Sequence, residues 1–408
     1  MQTEFSFIPG GVTAPVGFTA SGIHCGIRKN QSKRDLALIF ADRMCSAAAI
    51  YTTNLVKGAP IAVTRRNIEN GRARAVICNS GNANTCNADG QQKAWRMCEI
   101  AAEKLGINPE DVIVASTGVI GQVLPIEPIE QNAGTLAGSL SADGSRFAAE
   151  AIMTTDTRVK ENAAEAQIGG KKFRIGAIAK GSGMIHPNMA TMLCFVTTDA
   201  AISADMLKKA LARAAAVSFN MISVDGDTST NDMVSVLASG AAGNDEICAE
   251  GEDFEIFCQA LTAVCKRTAM QMARDGEGAT KLVIGSVAGA KDEENAKIIA
   301  KSVICSTLLK AAMFGSDANW GRVLCAIGYS GADCDINAVD VAFCSKAGRV
   351  EVCTNGAGIQ FSEKTAKEVL SEEEITIEIT LHEGEGRAEA YGCDLTYDYV
   401  KINGDYRT

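Results

Sequence analysis

Apolar and polar positions along the chain fall into short runs of two periods, cut by glycine-rich turns. Phe173, Ile175, Ala177 and Ala179 alternate with Arg174, Gly176 and Lys180, broken only at Ile178. That alternation predicts a strand ending at Gly181-Ser182-Gly183. Met192 to Thr197 is an almost continuous apolar run, the pattern of a strand buried on both faces. Ser203 then stands at an N-cap position, with Met206, Leu207, Ala210, Leu211 and Ala214 on one helical face and Lys208, Lys209 and Arg213 opposite. A second amphipathic helix is expected from Asp253 to about Ala273, carrying Phe254, Phe257, Leu261 and Val264, and a third from Glu294 to Phe314. Ile375, Ile377, Ile379 and Leu381 alternate with Thr376, Glu378 and Thr380, as in a half-buried strand. Helical and strand periods mix throughout, which favours a layered α/β or α+β architecture. No repeat of 20–50 residues recurs, which excludes a solenoid. A boundary is expected near the Gly226 to Asn231 turn, dividing residues 1–225 from residues 226–408.

Composition narrows the class. The chain has 408 residues, 47% of them hydrophobic and 22% charged. Its mean hydropathy of +0.05 is that of a globular protein rather than a disordered one. The longest apolar runs, such as Ala47 to Tyr51, fall far short of the roughly 18 residues that a membrane helix needs. A net charge of −10, no block of Lys and Arg, and 5% aromatic residues argue against a nucleic-acid partner. The start, Met1-Gln2-Thr3-Glu4-Phe5, has neither a basic nor an apolar leader region, so a cytoplasmic location is expected. Fifteen cysteines without a C-x-x-C pair read as small core hydrophobes of a reducing compartment. The three histidines, His24, His186 and His382, are far apart and give a zinc site little to work with.

Familiar catalytic signatures are absent: no G-x-x-x-x-G-K-[ST], G-x-G-x-x-G, G-x-S-x-G or H-E-x-x-H occurs. Asp225-Gly226-Asp227-Thr228-Ser229-Thr230-Asn231-Asp232 has the composition of a calcium loop in the wrong order, and reads as an Asx-rich turn. Asn79 to Asn84 reads as a turn too. The stretch from Lys180 to Leu193, KGSGMIHPNMATML, differs in kind. It sets a glycine-rich segment directly before a buried strand that opens with Thr191. A threonine there ordinarily serves β-propensity. Its hydroxyl becomes a useful nucleophile when a base takes its proton, and the residue's own α-amine, with a pKa of about 7.7–8.0, suits that role. The chain would have to be cut between Ala190 and Thr191.

This run resembles the signature of the ornithine acetyltransferase family, the glutamate N-acetyltransferases of the cyclic arginine pathway. Further segments resemble that family in the same order: Ala115 to Gly121, Met153 to Thr157, Val224 to Asp232, Asp275 to Lys281, Gly315 to Arg322, and the ending Asn403 to Thr408. The resemblance covers essentially the whole chain. It implies an αββα-type layered sandwich over residues 1–225 with further α/β lobes behind it. It implies a precursor that cuts itself at Ala190-Thr191 into chains of 190 and 218 residues, assembling as two α and two β chains. Thr191 is then the nucleophile of a ping-pong acetyl transfer from N2-acetyl-L-ornithine to L-glutamate, Thr117 and Gly118 form the oxyanion hole, and Thr154, Lys180, Thr191, Glu277, Asn403 and Thr408 bind substrate. Lys180 suits a carboxylate and Glu277 an ammonium group. The glycines at 181 and 183 are expected to let the scissile loop reach a strained geometry. No metal or organic cofactor is implied, and acetyl-CoA as a second donor is left open. Two rivals stand beside this reading: a self-processing aminopeptidase or amidase that passes its acyl group to water, and a non-catalytic amino-acid-binding or assembly protein on the same scaffold.

Overall fold

The computed structural model describes residues 5–186 and 192–405. Ala190, Thr191 and Thr408 lie outside the described residues. Among those described, the strands form two sheets. The first runs in the order β1 (Ser6–Ile8), β6 (Lys160–Ile168), β7 (Lys171–Lys180), β8 (Leu193–Thr198), β10 (Met233–Ala238), β3 (Leu36–Tyr51), β4 (Arg72–Asn79) and β5 (Val112–Ser116), with β2 (Phe18–Ile23) also paired to β3. The strand expected before Gly181 is β7, and the apolar run after Thr191 is β8, buried along its whole length.

The long strand β3 explains how this sheet becomes two layers. Its first half pairs with β2 and β4 and its second half with β10, and its ladder with β4 shifts between Phe40 and Cys45. The two wings therefore fold toward each other. Ala37, Ile39, Val76, Cys78, Ile113 and Ala115 of one wing meet Ile178, Leu193, Phe195, Met233 and Leu237 of the other in an inner core. Side chains alternate across a strand, so the intervening residues face outward and need helices to cover them. Leu36, Leu38, Ile77 and Val114 pack under α1 (Ala59–Asn67), α2 (Gly90–Leu105) and α3 (Glu127–Gly138). Inner-layer contacts also include α4 (Ser145–Ile152). Cys194, Val196, Val234 and Val236 pack under α5 (Ala204–Ala216) and α6 (Glu252–Arg274). The order of layers is helix, sheet, sheet, helix, as the resemblance implied. Ser203 caps α5 by accepting from Met206 N–H.

The second sheet has the order β14 (Ala357–Gly358), β13 (Gly348–Thr354), β12 (Asp340–Ser345), β15 (Glu374–Thr380), β11 (Leu282–Ala290), β16 (Gly386–Cys393) and β9 (Ile222–Ser223). One face packs on α7 (Glu293–Cys305), α8 (Thr307–Phe314), α9 (Trp320–Gly328) and α10 (Glu363–Leu370). On the other, Leu282, Ile284, Tyr391 and Cys393 join the core that holds Ala269, Met272 and Ala273 of α6, so this helix joins lobe to sandwich. The sheets exchange strands around residue 225: β9, before it, belongs to the lobe, and β10, after it, lies inside the sandwich sheet. The single helix expected from Glu294 to Phe314 is two. Ser306 adopts an extended backbone and its hydroxyl accepts from Leu309 N–H, capping α8 and ending α7. A serine side chain competes for backbone groups in this way, and apolar periodicity does not register it. All fifteen cysteines are unpaired and nine are buried, where desolvation pushes thiols such as Cys98 and Cys265 up to about 12. Among the described residues no helix is long and apolar enough to cross a membrane.

Candidate active site

Sheet register decides where the chemistry can gather. β7 runs antiparallel to β8 with Lys180 beside Leu193, and β8 runs parallel to β10 with Leu193 beside Met233. The chain thus leaves the sheet at Lys180 and re-enters it at Leu193 at one point, next to the residues that lead into β10. The loops after β5 and before β6 converge on the same place. They enclose a cleft of about 110 Å³, room for a small polar molecule. Thr117, Gly118, Thr154, Lys180, Glu277 and Asn403 all line it, together with Met192, which follows Thr191 in the chain. Every expected site residue among those described is therefore at this cleft, although the six are spread over nearly 290 positions of sequence.

The Thr117-Gly118 corner is built to leave donors available. Thr117 N–H is committed to Asn79 O at 2.9 Å. Its hydroxyl and the Gly118 N–H have no hydrogen-bond partner among the described residues. Gly118 has φ 125°, and a Cβ there would lie 2.8 Å from Asn82 N, so only glycine fits. The wall behind it is held by Asn231. Its amide donates to Ala83 O at 2.6 Å and Ser116 O at 2.9 Å, and its oxygen accepts from the Thr85 and Thr230 hydroxyls, each at 2.6 Å. The two segments that read from sequence as simple turns, 79–84 and 225–232, are thus pinned together as one side of the cleft.

A buried ionic cluster anchors three of the substrate-side loops. Lys160 Nζ lies 2.7 Å from Asp156 Oδ1 and 2.5 Å from Asp275 Oδ2, and its side chain is only 1% exposed. Asp156 accepts from Thr154 N–H at 3.0 Å and Gly181 N–H at 2.6 Å. Asp275 accepts from Thr157 N–H, the Thr157 hydroxyl and Arg158 N–H. The stretches carrying Thr154, Lys180 and Glu277 are fixed to one ammonium group by this arrangement. Burial works to raise the Asp156 carboxyl, but the Lys160 and Lys180 charges overcome it and hold the group well below the usual carboxylate range.

Glu277 N–H donates to Ser182 O at 2.9 Å, and Glu277 Oε2 accepts from the Asn403 amide at 2.7 Å. The C-terminal helix α11 (Tyr397–Asp405) therefore folds back onto the cleft, as the resemblance required. The glycines also have a packing role that the sequence did not suggest. A Cβ on Gly183 would lie 2.4 Å from Glu277 Cδ, and one on Gly181 would lie 2.6 Å from the Met272 methyl. Both glycines make room for neighbours, and Gly181 also has φ 157°, a backbone conformation that residues with a side chain rarely adopt. Asp225 accepts from Met184 N–H at 2.6 Å and Ile185 N–H at 2.8 Å, holding the segment that leads toward position 187.

Asp232 also lines the cleft. Its side chain is buried, and Oδ2 has no hydrogen-bond partner among the described residues. Burial pushes this carboxyl well above its ordinary value, against the opposing pull of the Lys180 charge and polar neighbours. Sequence reasoning singled out none of Asp156, Lys160, Asp275, Asn231 or Asp232 for a role. The one usable signal was Lys160 at the head of a strand face that it shares with Ala164, Ala166 and Ile168, a place where an unpaired charge is costly.

Comparison with known proteins gives four findings. Residues 19–408 match the model of the ArgJ family. The chain is 53% identical over 404 residues to the arginine biosynthesis bifunctional protein ArgJ of Symbiobacterium thermophilum, covering 98% of this chain and 100% of that protein. It is 48% identical to the Bacillus subtilis protein of the same name, covering 98% and 97%. A crystal structure of arginine biosynthesis bifunctional protein ArgJ from Bacillus halodurans is similar with a TM-score of 0.50 and 46% identity, covering 53% of this chain and 100% of that one.

Proposed function

The chain belongs to the ArgJ family, and from that premise we propose that it is an arginine-biosynthesis acetyltransferase that cuts itself at Ala190-Thr191 and moves acetyl from N2-acetyl-L-ornithine to L-glutamate. The observation that carries the reading is the convergence of Thr117, Gly118, Thr154, Lys180, Glu277 and Asn403 on one cleft whose wall includes Met192. The Bacillus halodurans chain supports the cut: it is matched over its full length by 53% of this chain, the share that residues 191–408 make up.

In the proposed reaction the Thr191 α-amine takes the hydroxyl proton and Oγ attacks the acetyl carbonyl. The Thr117 hydroxyl and Gly118 N–H receive the oxygen as it becomes negative, which is why their lack of other partners matters. The C–N bond breaks, the proton passes to the departing ornithine amine, and acetyl-Thr191 remains. Glutamate then attacks through its α-amine, and the same steps in reverse give N-acetylglutamate. Lys180 pairs with a substrate carboxylate, Glu277 with an ammonium group, and Thr154 and Asn403 supply neutral hydrogen bonds. Thr408 contributes to the same site. Two α and two β chains assemble, the enzyme works in the cytoplasm, and no metal or organic cofactor takes part. The relatives are named bifunctional, which supports acetyl-CoA as a second donor to glutamate.

Two-substrate kinetics test the reading. N2-Acetylornithine and glutamate should give parallel double-reciprocal lines, with release of ornithine dependent on glutamate in the steady state. Deleting Asn403 to Thr408 should abolish transfer and leave the chain cut. Ornithine release at the same rate without glutamate would replace the transferase by a hydrolase, and full transfer after the deletion would remove the C-terminus from the site.

A further inference from the structure

A second concavity adjoins the cleft, and its chemistry is different. It encloses about 1150 Å³ between the 24–34 loop, α4 and the 153–159 loop. That is more than the roughly 300–1,000 Å³ that usually holds a drug-sized ligand. Its polar lining is led by Arg28, Lys33, Arg34, Arg146 and Arg158, with His24 beside them, against two carboxylates, Glu150 and Asp156. Neither carboxylate is available to an incoming cation. Asp156 is buried under Lys160, and Glu150 is shared by Arg34 and Arg146, each at 3.2 Å. Arg28 is turned inward on the carbonyls of Ser80 and Met153. Lys33 and Arg158 are exposed, and among the described residues no carboxylate pairs with either. On a protein of net charge −10, such a concentration of cations in one groove is a local exception. It fits a small polyanion, whereas the acidic remainder of the surface repels an extended one.

Position supplies the second argument. Thr155 lines both the groove and the cleft, with its hydroxyl 2.7 Å from that of Ser182 in the glycine segment. Thr154, one residue before it, is a cleft residue. A ligand with phosphates in the groove and a slender arm passing Thr155 would present its far end beside Met192.

We infer that this groove binds the phosphate-bearing end of a coenzyme A thioester, with the pantetheine arm leading the acetyl group to Thr191. The inference rests on the transferase reading above and adds where the second donor sits. Thr191 Oγ attacks the thioester carbonyl, the C–S bond breaks as the acetyl ester forms, and the coenzyme A thiolate leaves with the proton that the threonine gave up. Glutamate then takes the acetyl group as it does after N2-acetylornithine. N2-Acetylornithine carries no phosphate and does not use the groove.

The test compares three acetyl donors with glutamate as acceptor: acetyl-CoA, acetyl-pantetheine and N2-acetylornithine. In the self-processed enzyme carrying Lys33→Glu and Arg158→Glu, KM for acetyl-CoA should rise about 10-fold or more, the size of a lost charge-assisted contact. Kinetics with acetyl-pantetheine and N2-acetylornithine should stay as in the parent, which also reports an intact fold. An unchanged KM for acetyl-CoA, or an equal loss with acetyl-pantetheine, overturns the groove assignment. A parent enzyme that transfers from N2-acetylornithine and not from acetyl-CoA overturns the inference and leaves the transferase reading standing. Transfer from none of the three overturns both.

Discussion

Replacing Lys160 with methionine should separate what the buried ionic cluster does from what the cleft does. The change keeps the volume and removes the one ammonium group that faces both Asp156 and Asp275, at 2.7 and 2.5 Å. Both carboxylates are buried. Breaking a buried pair from one side leaves an uncompensated charge and costs about 3–5 kcal/mol. Here two carboxylates are left facing each other, while Lys180 and two backbone N–H groups still favour the Asp156 charge, so the loss should lie within that range. The loops that carry Thr154 and Lys180 hang on Asp156, and a misplacement near 1 Å can cost on the order of 10²-fold in rate. Urea unfolding followed by fluorescence of the two tryptophans, Trp95 and Trp320, with kcat/KM measured on the same samples, reads both effects. The pH dependence has a fixed sign. The folded-state pKa of Asp156 is depressed, so its contribution is complete above the unfolded value near 3.9 and is lost as pH falls through the folded value. The difference between parent and Lys160→Met should therefore shrink in acid. A loss under about 1 kcal/mol at neutral pH with unchanged kcat/KM would refute the cluster as the anchor of the site.

Thr117→Ala should lower kcat by about 10²–10³-fold with little change in urea midpoint, because its hydroxyl has no partner among the described residues; equal kcat would take Thr117 out of the oxyanion hole. Gly183→Ala should fold, since the obstructing atom is the end of the flexible Glu277 side chain. Displacing that carboxylate should cost roughly 10- to 100-fold in kcat/KM, and unchanged kinetics would show that Glu277 does not bind substrate from where it lies. Asp232→Asn should stabilise the protein at neutral pH. The Asp232 folded-state pKa is raised by burial, so the parent loses stability as pH rises from about 4 toward that raised value, and the advantage of asparagine should grow with pH over that interval. A flat difference would place the cost elsewhere.

Elements with one dominant period were legible in the sequence. The strict alternation at Ile375 to Leu381 gave β15, the continuous apolar run after Thr191 gave β8, and Ser203 with its apolar face gave α5. The break at Ser306 within the helix expected from Glu294 to Phe314 is not legible, because an interruption by one capping hydroxyl leaves the apolar spacing on either side intact. Periodicity could not foretell that β3 serves both wings of the sandwich. That depends on partners found far along the chain, Val76 opposite Ile39 and Val234 opposite Ile50. The resemblance named residues that touch the cleft, and the structure brings the six described ones together. It did not name those that hold them in place. Asn231 and Asp275 sit on polar turns that look solvated, and their meaning appears only when residues as distant as Ala83 and Lys160 come within hydrogen-bond reach. The role expected for Gly183 was conformational, whereas its missing side chain makes space for Glu277, a residue nearly a hundred positions away.

Intact mass of the purified protein under denaturing conditions, before and after brief exposure to N2-acetylornithine, tests the central claim most directly. The account predicts two chains, one ending at Ala190 and one beginning at Thr191, with a single acetyl group added to the second on exposure and removed again by glutamate. The Thr191→Ala protein should give one uncut, unmodified chain. A parent protein that remains one chain of 408 residues and takes up no acetyl group would contradict self-processing and the covalent intermediate together.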